Sequence, residues 1–188
     1  MLPGLCRALV FLVLSAALGA GITFFKAPDL TALKREASQS NDPRELAATI
    51  TKVVLKQSGK QGLDEGDLNA YFNTNIASRL EHSSTFMKPA EVACDLREDS
   101  ARLYLTWRVF DRPVTAAVDL KVARVGAEIV CEVTGGSYGA LSVPRLCITP
   151  LRPALRELAR ACQPEVQALL SLPRLSIAKE KLVLDPIF

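Results

Sequence analysis

The chain predicts an α+β fold: an N-terminal transmembrane helix, then an antiparallel sheet of about four to six strands packed against two or three helices. Three observations carry this expectation. The run Ala8–Phe25 is apolar and uncharged. The stretch Ala90–Thr134 alternates apolar and polar residues with a period of two, as a sheet with one buried and one wet face requires. Helix-start residues and apolar residues at helical spacing lie on both sides of that stretch.

The N-terminal run comes first, with Arg7 before it and Lys26 after it. Its length, about 18 residues, is the minimum for spanning a bilayer. A signal peptide would use Leu9–Leu14 as its apolar region and be cut near Gly19–Gly21. An uncleaved anchor would use the full run, with Phe24 and Phe25 at the far interface. The continuation through Ile22, Thr23, Phe24 and Phe25 favours the anchor. The organisation that follows is residues 1–26 as membrane anchor (or signal peptide), 27–41 as a polar linker or stalk, and 42–188 as a single extracytoplasmic domain.

Asp42-Pro43-Arg44-Glu45 carries a capping residue, a proline suited to the first helical position and a capping-box glutamate. Leu46, Ile50, Val53 and Val54 follow at helical spacing, and Ser58-Gly59 ends the element. A second helix starts at Asp64, with Leu63 able to staple onto Leu68 and an apolar stripe of Leu68, Tyr71, Phe72 and Ile76. Asn69, Asn73 and Asn75 read as solvated positions near its end.

The central stretch divides into four strands. Val92, Cys94 and Leu96 share a face, as do Leu103, Leu105, Trp107 and Val109, then Val114 to Val122, then Ile129, Cys131 and Val133. The connections Glu98-Asp99-Ser100, Asp111-Arg112-Pro113 and Val125-Gly126 are short, so the strands are antiparallel neighbours. Gly135-Gly136-Ser137-Tyr138-Gly139 matches neither phosphate-loop glycine pattern and reads as a bend or bulge. Thr149-Pro150 starts the last helix. Leu151, Leu155, Leu158 and Cys162 form its inward stripe, Arg152, Arg156 and Arg160 form a basic stripe beside it, and Pro164 kinks or splits it. Leu172–Ala178 and Lys181–Leu184 then read as a closing hairpin turning at Lys179-Glu180.

Composition excludes more than it assigns. With 188 residues the chain has room for one ordinary domain and an appendage. A net charge of +3 and the absence of a basic, aromatic-interleaved patch give no nucleic-acid footprint. No pair among the five cysteines has CxxC spacing, so no zinc or thioredoxin-like site is expected. The cysteines read as free, buried residues; a Cys94–Cys131 disulfide is the alternative, and Cys147 and Cys162 are too far apart along a helix to pair. His82 is the single histidine, in a polar stretch, and no G-x-S-x-G accompanies any serine. Asp64, Glu65 and Asp67 read as helix-start charges rather than a glycosidase pair. No catalytic residue, metal or cofactor is expected.

Three motifs give a resemblance. Leu63-Asp64-Glu65-Gly66-Asp67-Leu68-Asn69-Ala70-Tyr71, Gly139-Ala140-Leu141-Ser142-Val143-Pro144, and Leu175-Ser176-Ile177 with Lys181-Leu182-Val183-Leu184 resemble, in this order, those of small membrane-anchored bacterial proteins of the YpmS type, and more distantly of LmeA-type lipid-binding proteins. The resemblance implies a curved antiparallel sheet wrapped around helices, as in lipid-binding tubular folds, and transfers no catalytic residue. The expected function is that of a non-enzymatic domain tethered to the membrane of the cell envelope. It would bind lipid or another apolar ligand, or act as an interaction module for an envelope protein. The candidate ligand-binding residues are Leu105, Trp107, Val118, Leu120, Leu155 and Leu158, and the candidate anionic-surface contacts are Arg152, Arg156 and Arg160. An envelope hydrolase and a purely structural assembly factor are the rival readings.

Overall fold

The computed structural model describes residues 26–34, 61–81, 89–125, 128–170, 172 and 174–185, with Ser15, Gly19 and Thr23. The predicted helix starting at Asp42, the Val125-Gly126 turn, Cys6 and His82 lie outside those residues or straddle their limits. The fold is α+β. A five-stranded antiparallel meander has the order β2-β3-β4-β5-β6, and a separate three-stranded antiparallel sheet has the order β1-β8-β7. In the chain the elements run β1 (Gln61–Asp64), α1 (Glu65–Tyr71), a π-helical segment (Phe72–Ile76) and α2 (Ala77–Glu81), then β2 (Glu91–Arg97), β3 (Ser100–Val109), β4 (Arg112–Val125), β5 (Glu128–Tyr138) and β6 (Leu141–Pro144). A 3-10 segment (Arg145–Leu151), α3 (Arg152–Ala161), α4 (Gln163–Leu170), β7 (Arg174–Ala178) and β8 (Lys181–Asp185) complete it.

The alternation seen in the sequence becomes the inner face of the meander. Val92, Cys94, Leu96, Leu103 and Leu105 are buried together with Leu80, Ala154, Leu158 and Leu184 in one core cluster. Ala116 and Val118 join Ile148 and Leu151 in a second. Gly136 makes the second cluster fit. A Cβ there would lie 2.1 Å from the Ala117 carbonyl oxygen and 2.7 Å from Ile148 Cδ1, so only glycine allows the 3-10 segment to seat on β5. The predicted bulge sits beside it, where the β4–β5 register shifts between Asp119 and Leu120.

The opposite face is not uniformly wet as expected. Ala93, Thr106, Thr115, Ala117 and Ser137 are all below 9% exposure, and the Thr106 and Thr115 hydroxyls bond each other at 2.9 Å. The stretch read as a linker reaches this end of the sheet. Ala140 N donates to Thr23 O at 3.0 Å at the β5–β6 turn, Leu30 is buried, and Lys34 pairs with Glu91 at the start of β2, 3.0 Å apart. The far end of this face carries expected charges, with Arg102 on Asp119 and Arg97 on Asp95.

Several local expectations shift. The hairpin between β3 and β4 turns at Phe110-Asp111, not at Asp111-Arg112-Pro113, because Val109 pairs with Arg112 and keeps Trp107 opposite Val114. Asp64 makes no side-chain cap at the start of α1; its carboxylate pairs instead with Lys181, 3.3 Å away across the β1–β8 ladder. The last helix begins at Arg152 rather than at Thr149, since Arg145–Leu151 coil as a 3-10 segment. Tyr71 and Ile76 are both buried although five residues apart. An α-helix would turn them away from each other, and the wider π turn between them restores a common face.

The four described cysteines, Cys94, Cys131, Cys147 and Cys162, are free. Cys94 is buried as expected, but Cys131 and Cys147 are exposed. Pairing of β4 with β3 ends at Lys121, so Cys131, opposite Val122, stands on a two-stranded ribbon beyond the core. Cys94 and Cys131 belong to strands separated by two others. Among the described residues no helix is long and apolar enough to cross a membrane. Of the Ala8–Phe25 run only Ser15, Gly19 and Thr23 are described, each in helical conformation.

Candidate functional site

The six apolar candidates lie where expected, on the inner sheet face and α3. Leu105 and Val118 are fully buried and Leu158 is 7% exposed. Trp107, Leu120 and Leu155 are partly buried, and each packs against both core clusters. Helix α3 crosses the meander and lays its apolar stripe on the strands, because Ala154 and Leu158 recur every fourth residue on one side. All six positions thus belong to the core clusters or pack against them. One polar atom is left over: Trp107 Nε1 is buried without a hydrogen-bond partner.

Arg152, Arg156 and Arg160 are all exposed along α3. Arg160 is engaged by Glu157 at 2.6 Å, a surface pair one turn apart. The stripe is a solvent-facing row.

Two polar devices escaped the sequence. The first is on α1, where Asn69, expected to be solvated, is 1% exposed, and Glu65, read as a helix-start charge, is 4% exposed. Strand β2 is an edge of the meander, and its outward backbone groups need partners. Asn69 Oδ1 accepts from Cys94 N at 2.7 Å and its Nδ2 donates to Cys94 O at 2.9 Å. Glu65 Oε2 accepts from Leu96 N at 2.5 Å, and Leu96 O accepts from Glu180 N at 3.1 Å. Two side chains one helical turn apart thus pair with the edge as another strand would. The available signal was an amide lodged between Leu68 and Tyr71 in an apolar stripe, four residues after a glutamate.

The second device ties the end of α1 and α2 to α4. The Tyr71 hydroxyl donates to Glu165 Oε1, and Arg79 Nη1 donates to both Glu165 oxygens at 2.8 and 3.0 Å and to Ala161 O at 2.7 Å. Burial, then the bond to Glu165, pushes the Tyr71 phenol up to about 12. Beside it a cleft of about 330 Å³ is lined by Arg79, Leu80, Glu157, Arg160, Ala161 and Pro164. A second cleft of about 350 Å³ lies between the β2–β3 and β7–β8 turns, lined by Asp95, Leu96, Arg97, Glu98, Lys179 and Glu180. Neither includes any of the six apolar candidates. Both mix charges of opposite sign.

Chemically the described groups bind and brace. Burial pushes the Cys94 and Cys162 thiols up to about 12, so neither supplies a thiolate near neutral pH. Among the described residues no group of three or more histidine, cysteine, aspartate or glutamate side chains is placed to hold a metal ion. No protein-family model matches the chain, and no curated protein and no solved structure matches it.

Proposed function

We propose that the chain is a non-enzymatic, membrane-tethered extracytoplasmic domain of the bacterial cell envelope, similar to the YpmS type, that acts as an interaction module through its surface. The observation that carries this reading is the packed inner face: Leu105, Val118 and Leu158 belong to the core clusters, and Trp107, Leu120 and Leu155 pack against them. The Ala8–Phe25 run supports the tether. The test is made on the full chain expressed in a bacterial host. It stays in the membrane pellet through alkaline carbonate, is released by detergent, and is digested by protease added outside spheroplasts. Release by carbonate, or full protection from external protease, refutes the reading.

A lipid-holding version makes a different demand. An acyl chain seated on Trp107, Leu120 and Leu155 would be lost on Leu155→Ala with the fold intact. For a packed side chain, Leu155→Ala lowers the melting temperature and changes no bound lipid.

A further inference from the structure

The end of the sheet where the N-terminal segment arrives carries one feature that the core does not explain. Strands β3 and β4 run past the rest of the meander there. Strand β2 begins at Glu91, opposite Thr106, and the β5–β6 turn closes with Gly139 N bonded to Thr115 O at 2.7 Å. Beyond these levels, among the described residues, the β3–β4 hairpin continues alone. Phe110, four residues past Thr106, reaches roughly 13 Å farther along the strand direction. At its tip Phe110 is 97% exposed. Phe110 and Asp111 have φ of 49° and 60°, the left-handed pair of a type I′ turn, a place that asparagine and glycine occupy without strain and phenylalanine does not. Val109 is 40% exposed beside it, and Arg108 and Arg112 are exposed on opposite faces of the ribbon.

We propose that this hairpin tip is a second membrane contact, seated in the headgroup region of a phospholipid bilayer next to the N-terminal run; the proposal rests on the tethered reading above. Position identifies the occupant. Thr23, near the end of the apolar run, is bonded to Ala140 at this same end of the sheet. A run that enters a bilayer therefore brings the projecting hairpin toward the same surface. Chemistry agrees with position. An aromatic ring suits the interface between acyl chains and headgroups. Two guanidiniums against the single Asp111 carboxylate leave the tip net positive, which favours anionic headgroups. The opposite end of the sheet, at the Glu98-Asp99 turn, carries two acids instead.

The test places one tryptophan at a time in the full chain reconstituted into phosphatidylcholine/phosphatidylglycerol vesicles, in a Trp107→Phe background. Phe110→Trp is compared with Val130→Trp, at the far end of the sheet. Bromine-labelled phosphatidylcholine is expected to quench the tryptophan at 110 about threefold more than the one at 130, with a blue-shifted emission. Equal quenching at the two sites in chain that floats with the vesicles overturns the hairpin contact and leaves the tether standing. Chain that does not float overturns both. Should Trp107→Phe disturb the fold, amide exchange on the native sequence decides. Vesicle binding slows exchange at residues 109–112 and not at Glu98-Asp99 if the tip is seated. Equal exchange at both turns, or protection only when a second protein is added, refutes it.

Discussion

Helices α1 and α3 hold the same five-stranded sheet by opposite means. Helix α1 meets β2 at its edge through three hydrogen bonds from Glu65 and Asn69 to main-chain groups of Cys94 and Leu96. Helix α3 meets the face of the sheet through Ala154, Leu155 and Leu158, with no directional bond in the contact. The first attachment fixes one register, because a shift of one residue would turn the bonded backbone groups away. The second fixes volume and leaves room for exchange among similar apolar side chains.

Substitution separates the two. Asn69→Ala is expected to have the largest effect, about 3–4 kcal/mol lost in denaturant unfolding, because both polar groups of Cys94 are left buried and unpaired. A loss below about 1 kcal/mol would mean that water replaces the amide, and the contrast with α3 would fade. Leu158→Ala comes next, at about 2–3 kcal/mol from lost packing, while Leu158→Met costs less than about 1.5 kcal/mol. Asn69 has no comparably tolerated apolar replacement.

A smaller effect lies in the pH dependence. The Tyr71 phenol is raised from 10.0 to about 12 in the fold. Its neutral form is thus favoured by folding, so the stability it contributes is complete below pH 10 and lost as pH rises toward 12. Tyr71→Phe should flatten the alkaline fall in melting temperature between those values; an unchanged slope would remove Tyr71 from the latch with Glu165. The smallest effect belongs to the exposed side of α3. Arg160→Ala should change stability by about 0.5 kcal/mol or less, since its partner Glu157 holds it at the surface.

The same contrast explains what could be read before the structure. Strands β2 to β4 were legible because a period of two needs no knowledge of partners. The inward stripe of α3 was legible for the same reason with a period of 3.6. Strand β1 was not, because Gln61-Gly62-Leu63-Asp64 has one apolar residue and becomes a strand only by pairing with Leu182 and its neighbours, far along the chain. Asn69 was misplaced because its partner, Cys94, is 25 residues away and is a backbone, which composition cannot reveal. Cys131 alternates correctly, yet nothing in its neighbourhood tells that β3 stops short of it. The candidate ligand face was legible as a face. Whether it held a core depended on how closely α3 approached, a tertiary distance with no local signal.

The side-chain clamp on β2 has a consequence for how this molecule meets others. A sheet grows by lending a row of unpaired amides to an incoming strand, in recognition and in aggregation alike. At Cys94 and Leu96 those groups are already engaged by Asn69, Glu65 and Glu180. The other margin, β6, is four residues long and closes on Pro144, which has no N–H to offer. The meander is blunted at both margins: a strand arriving at Cys94, Leu96 or Pro144 finds no free main-chain N–H to pair with.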